Sequence, residues 1–195
     1  HRVLILADTA MIADQADQEF DGADMAVDSQ NIVNIAYSNA TALKLQLLTN
    51  ANGSWAGEDI DTLERGCNAK LALDSGTAVH IAYFTTAEAG ASILRYASNA
   101  GGAWQIEQVA DDGMGTLVDI AVGAGGVPRV VYTFFDGDYY LLLYLVKSVG
   151  SWIPEQVTHY LSSFDDGCLA LTSSDTPHVL VEFVDYTLSG SFYSA

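Results

Sequence analysis

Four kinds of side chain stand in this 195-residue sequence at positions where they could do chemistry. Trp55, Trp104 and Trp152 each follow a glycine turn, Gly53-Ser54, Gly102-Ala103 and Gly150-Ser151. An indole repeated in this way offers a flat apolar face for a sugar ring and an N–H to donate, or it anchors a strand by burying a large area. Tyr139 and Tyr140, after Asp136-Gly137-Asp138, form a second aromatic surface with the same two uses. Asp21, Asp111, Asp112, Asp165 and Asp166 stand in the acidic stretches Phe20-Asp21-Gly22, Ala110-Asp111-Asp112-Gly113 and Phe164-Asp165-Asp166-Gly167. Gathered on one face, such carboxylates would suit Ca²⁺, which takes roughly six to eight oxygens. Arg65-Gly66 breaks that series, no calcium loop is present, and Asp-Gly is also an ordinary turn pair. His80 and His178 hold equivalent places, but Asn34 and Arg129 hold the other two, so a structural hydrogen-bonding role fits all four.

No nucleophile elbow, phosphate-binding glycine loop, zinc signature or nucleotide fingerprint occurs. Cys67 lies near Arg65 but has no sequence-local base to activate it. The expectation is a non-catalytic protein with no cofactor, calcium excepted. Seven Lys+Arg against 25 Asp+Glu give a formal net charge of −18, which excludes the basic footprint a nucleic-acid or anionic-membrane binder needs. No apolar run is long enough to insert as a transmembrane helix. Val3-Leu4-Ile5-Leu6 is too short for a signal-peptide core and lacks a basic flank. Few lysines with abundant Asp, Gly and Tyr suit a secreted or bacterial surface protein whose signal peptide is not part of this chain. Cys67 and Cys168 are too few for a disulfide scaffold, though the two could pair.

These residues must be positioned by a repeat. Met25-Ala26-Val27, Leu71-Ala72-Leu73, Ile120-Ala121-Val122 and Leu169-Ala170-Leu171 place their alanines 46, 49 and 49 residues apart. Eight residues after each alanine, Asn34, His80, Arg129 and His178 open a second apolar run. A third run follows, then the glycine turn, the tryptophan and a fourth run such as Ile106-Glu107-Gln108-Val109 or Pro154-Glu155-Gln156-Val157. Each run is short, β-branched and aromatic, bounded by Gly, Asp, Asn and Ser, and none keeps a helical period. Four such strands in about 48 residues make one blade of a β-propeller. The expected fold is all-β, a four-bladed propeller in a single domain over residues 1–195, with blades near 20–62, 66–110, 114–158 and 164–195. A β-solenoid and a sandwich are the alternatives.

Tyr96-Ala97-Ser98-Asn99-Ala100-Gly101-Gly102-Ala103-Trp104, with the apolar-Ala-apolar-Asp and His-Ile-Ala-Tyr runs, resembles the degenerate Asp-box repeats of bacterial sialidase-like propellers. The resemblance covers nearly the whole chain and implies the fold more than an activity. Sialidase chemistry would need three clustered arginines and a Tyr-Glu pair, whereas Arg2, Arg65, Arg95 and Arg129 stand at unrelated repeat positions.

The fourth unit has no tryptophan turn or fourth run after Phe192-Tyr193. Residues 1–8 align with Trp104–Asp111 apart from a residue at the start, so Val3, Leu4, Ile5 and Leu6 are expected to form the outer strand of the last blade. Pairing within the chain gives a monomeric ring; pairing with another copy gives a swapped dimer or a polymer. The expected role is an extracellular scaffold or adhesion propeller that assembles with itself by N-terminal strand donation. The alternative is a lectin-like carbohydrate-binding module, with glycans as the partner.

Overall fold

A computed structural model describes residues 4–7, 10–14, 20–39, 42–62, 66–86, 92–113, 115–160, 164–183 and 192–194. The repeated runs form successive antiparallel sheets. Sheet one contains β3 (Phe20–Val27), β4 (Val33–Asn39), β5 (Lys44–Thr49) and β6 (Ala56–Asp61) in chain order. Sheet two contains β7 (Gly66–Leu73), β8 (Val79–Thr86), β9 (Ser92–Ser98) and β10 (Gln105–Gly113). Sheet three contains β11 (Gly115–Val122), β12 (Pro128–Phe135), β13 (Tyr140–Ser148) and β14 (Ser151–Tyr160). Sheet four contains β15 (Phe164–Leu171), β16 (Pro177–Phe183) and β17 (Phe192–Ser194).

Side-chain acceptors fix the first hairpin of sheets one, two and four. Asp28 Oδ1 accepts from the Gln30 and Ile32 N–H groups, Asp74 Oδ1 accepts from Gly76 and Ala78, and Thr172 Oγ1 accepts from Thr176. Such side-chain mimicry of a backbone turn explains the polar residue that ends the apolar-Ala-apolar run. Asn50 and Asn99 likewise accept from Val33 and Val79 across the sheet. In every inner strand the pairing register shifts just before the alanine run, at Phe20/Ala23, Cys67/Lys70, Leu117/Asp119 and Phe164/Asp166. A bulge at one repeated place bends and twists each inner strand alike. The acidic stretches containing Asp21, Asp111, Asp112, Asp165 and Asp166 lie within strands β3, β10 and β15, not in the turns that their Asp-Gly pairs suggest.

Packing is sequential. One face of sheet one (Ala36, Leu45, Leu47) meets the opposite face of sheet two (Leu71, Ile81, Tyr83). Ala82, Leu94 and Tyr96 of sheet two then meet Ile120, Val130 and Tyr132 of sheet three. Val131, Leu142 and Tyr144 meet Phe164 and Leu169 of sheet four. Contact between inner strands is close: a Cβ on Gly22 of β3 would lie 3.0 Å from the Asn68 Cα of β7.

Two expectations about closure are corrected. Leu4, Ile5 and Leu6 do not complete sheet four; β1 (Leu4–Ala7) forms a hairpin with β2 (Ala10–Asp14), with Leu4 opposite Asp14 and Ala7 opposite Ala10. Val3 lies outside the described residues. β1 and β2 are adjacent in sequence, whereas pairing with β17 must bring together the two ends of the sequence, and closure entropy grows with loop length. Nor does the ring close among the described residues. β3 packs beside β7, β7 beside β11 and β11 beside β15, with no comparable packing from β15 back to β3.

Candidate functional site

Two of the repeated tryptophans work between sheets. Trp104 Nε1 donates to Glu58 Oε1 of sheet one, and Trp152 Nε1 donates to Glu107 Oε1 of sheet two at 2.7 Å. Each indole thus clasps the outer strand of the preceding sheet. The signal for the acceptor was in the repeat: a glutamate stands three residues after every tryptophan, at Glu58, Glu107 and Glu155.

The second clasp is the richer site. Lys147 Nζ forms an ion pair with Glu107 Oε1 at 2.7 Å, with side chains 31% and 39% exposed. The same ammonium stands 4.8 Å from the centre of the Tyr96 ring and 5.9 Å from that of Trp152. The two rings meet edge to face at 5.3 Å. Such cation–π geometry orients the ammonium while leaving donors open to solvent. Tyr96 is buried and also hydrogen-bonds His80 Nδ1. Burial pushes the Tyr96 phenol up to about 12, with Glu107 and Asp74 adding to the rise, so it stays a neutral donor near neutral pH. A carboxylate, an ammonium and aromatic surface therefore converge at the boundary of sheets two and three.

His80 closes the inner end of this cluster. It is 1% exposed, with Nε2 3.6 Å from Asp74 Oδ2. Burial lowers its pKa below the ordinary value, against the opposing pull of Asp74. Its contribution to stability is present above about pH 6.5, the unfolded value, and is lost as pH falls through the lower folded value. His80→Asn installs the residue that sheet one carries there, the buried Asn34. Relative to this variant, wild-type unfolding free energy should fall below pH 6.5 with an extra slope of up to about 1.4 kcal/mol per pH unit. Parallel denaturant titrations between pH 5 and 7.5 measure it; identical slopes would refute the assignment.

The other expected site residues are dispersed. Trp55 is half-buried, and Tyr139 is 40% exposed and edge-on to His159 at 5.1 Å. Tyr140 packs on Phe135 at 4.8 Å, a strand contact within sheet three. Asp111 and Asp166 are exposed in different sheets, and the side chains of Asp21, Asp112 and Asp165 lie outside the described residues. Among the described residues no three His, Cys, Asp or Glu side chains come together as a metal set. Cys168 is a free, exposed thiol, and His178 is exposed, unlike its counterpart His80.

Missed by sequence reading was a row of charges on the inner strands. Asp24 Oδ2 accepts from Leu71 N at 2.8 Å, and Asp119 Oδ2 accepts from Leu169 N at 2.8 Å, each bridging to the next sheet. The other carboxylate oxygen accepts from the following residue, Met25 or Ile120. Burial raises the Asp119 pKa, opposed by its two backbone hydrogen bonds and by Lys70.

No protein-family model matches the sequence, and no curated protein matches it. Solved structures do. A polysaccharide lyase of the ulvan lyase family 25 shares 14% identity at a TM-score of 0.64, over 90% of this chain and 54% of that one. An α-L-arabinanase from Penicillium chrysogenum, complexed with arabinobiose, shares 9% identity at 0.64, over 91% and 62%. The Aleuria aurantia lectin, complexed with α-methyl-L-fucoside, shares 12% at 0.57, over 91% and 58%. The likeness shows a β-propeller fold. This chain spans about half to two thirds of the length of the structures it resembles.

Two expectations change with these findings. The sialidase-like resemblance narrows to the propeller fold, since no family model supports the finer assignment. The expectation of a non-catalytic protein is withdrawn: a lyase and an arabinanase share this fold, so the lack of a familiar motif excludes no catalysis. Among the described residues no helix is long and apolar enough to cross a membrane.

Proposed function

We propose that this chain is a carbohydrate-binding β-propeller module acting outside the cell, its four sheets serving as the blades of one domain. The observation that carries the reading is the Glu107–Lys147–Tyr96–Trp152 cluster between sheets two and three. Sugar recognition needs an apolar surface for the C–H face of the ring and a few fixed polar groups for its hydroxyls. Here the aromatic rings support the ammonium and carboxylate instead of burying them. The fold's occurrence in proteins described with arabinobiose and α-methyl-L-fucoside supports the class. A net charge of −18 disfavours polyanionic glycans, so neutral oligosaccharides are the favoured ligands.

Isothermal titration with neutral arabino- and fuco-oligosaccharides tests this, with sulfated and uronic-acid oligosaccharides as the counter-set. Binding to a neutral member is expected, weakened about tenfold by Lys147→Ala, or about 1.4 kcal/mol, with the melting temperature little changed. A folded wild type that binds no member, or binding indifferent to both Lys147→Ala and Glu107→Gln, would overturn the reading.

A further inference from the structure

The propeller interface occurs three times inside this chain, and each time it joins the same two faces. In sheets one to three the second strand presents Ala36, Ala82 and Val131 toward the next sheet, and all three are 0% exposed. Leu180 is their counterpart in sheet four and is 48% exposed. The receiving face shows the same break at the other end. Leu71, Ile120 and Leu169 are 6%, 4% and 7% exposed, while Met25, at the equivalent place in sheet one, is 60% exposed. Val27 beside it is 52% exposed. At the Leu180 face lies an open depression of about 220 Å³, lined by Cys168, Leu180 and Val181 together with Gly167 and the carboxylates Asp166 and Glu182.

We propose that a second copy of this chain docks head to tail, Met25 and Val27 of each copy seating on the Leu180–Cys168 face of the other, so that two copies close one ring. Both halves of the junction are present in every molecule, and both continue an interface that the chain already makes three times. A second copy therefore supplies both missing complements at once. The contact is heterologous, and two copies related by a twofold axis along the ring satisfy it twice and leave no end. At −18 per chain, a junction between copies must rest on apolar contact. An inter-sheet carboxylate is dispensable there: Lys70 replaces Asp24 and Asp119 at the junction of sheets two and three, which still forms a core cluster.

Light scattering of the full chain across a hundredfold dilution reads the outcome. A dimer is expected, and Met25→Asp or Leu180→Asp should each reduce it to one chain, with circular dichroism unchanged because both side chains are exposed. Mixing the two variants should restore dimers, since one of the two junctions is then wild type at both faces. Ile5→Pro, which blocks main-chain pairing by β1, should leave the dimer intact. A wild-type monomer at all concentrations, a dimer indifferent to Met25→Asp and Leu180→Asp, or loss of the dimer with Ile5→Pro alone would overturn the proposal. None of these readouts depends on glycan binding.

Discussion

Tyr83→Ala should lower the unfolding free energy by about 3–5 kcal/mol, a large part of the roughly 5–15 kcal/mol that holds a typical domain. Tyr83 is 0% exposed in the cluster joining sheets one and two, beside Leu45, Leu71 and Ile81. Truncation removes the ring from a site framed by strands on two sheets, which cannot collapse to fill it. The hydroxyl adds a second term. It donates to Asp61 Oδ2 at 2.8 Å, where the carboxylate is 2% exposed and Arg95 Nη1 lies 3.4 Å away. Burial and the facing Asp61 both raise the phenol's pKa, so it remains a donor throughout the neutral range. Tyr83→Phe keeps the ring and removes that donor, and should cost about 1.5–3 kcal/mol, the range for a hydrogen bond to a charged group. Denaturant unfolding of both variants separates the terms. Equal losses would mean that the ring contributes little, contrary to its burial.

The fold was legible because its period is carried by residues with one physical job. Ala26, Ala72, Ala121 and Ala170 recur on the inner strands, and Asp28 and Asp74 recur where a hairpin needs a side-chain acceptor. Those are local demands, and a sequence shows local demands directly. Closure was not local. The first eight residues match an outer strand in pattern, but pattern does not say which edge a strand joins, and β1 found β2. The Glu107–Lys147 pair was hidden for a similar reason. Lys147 is absent from the equivalent places of the other units, and only the stacking of sheet three on sheet two brings it beside Glu107.

Departures from the repeat set the proposed site apart. Had every sheet been identical, each interface would carry the same Trp–Glu clasp and nothing more. Sheet one has Asn34 where sheet two has His80, and Lys147 adds a cation only at the second clasp. Among the described residues, Trp104 and Glu58 form the same hydrogen bond without a comparable ammonium stacked on the aromatic rings. A ligand that needs all three groups should therefore occupy one boundary of this chain and not each in turn, giving a single-site titration.

Asp119→Ala should cost about 1–3 kcal/mol, the penalty for leaving a buried donor without its acceptor. The carboxylate holds two backbone N–H groups at 2.8 Å, one on its own strand and one, Leu169 N, on β15. The raised pKa shows that burial already disfavours its charge, so alanine also relieves a desolvation cost, and this caps the loss. Complete unfolding is not expected, because Lys70 occupies the equivalent place in sheet two and the second and third sheets still pack through Ala82, Tyr96, Ile120 and Val130. Apolar burial therefore sets the strength of each junction, and Asp24 and Asp119 fix the register of the first and the third. Hydrogen exchange resolves the two contributions. In Asp119→Ala the Leu169 amide should lose protection by a larger factor than amides in the middle of β12. Uniform loss across sheets three and four would instead make the carboxylate a principal support of the stack.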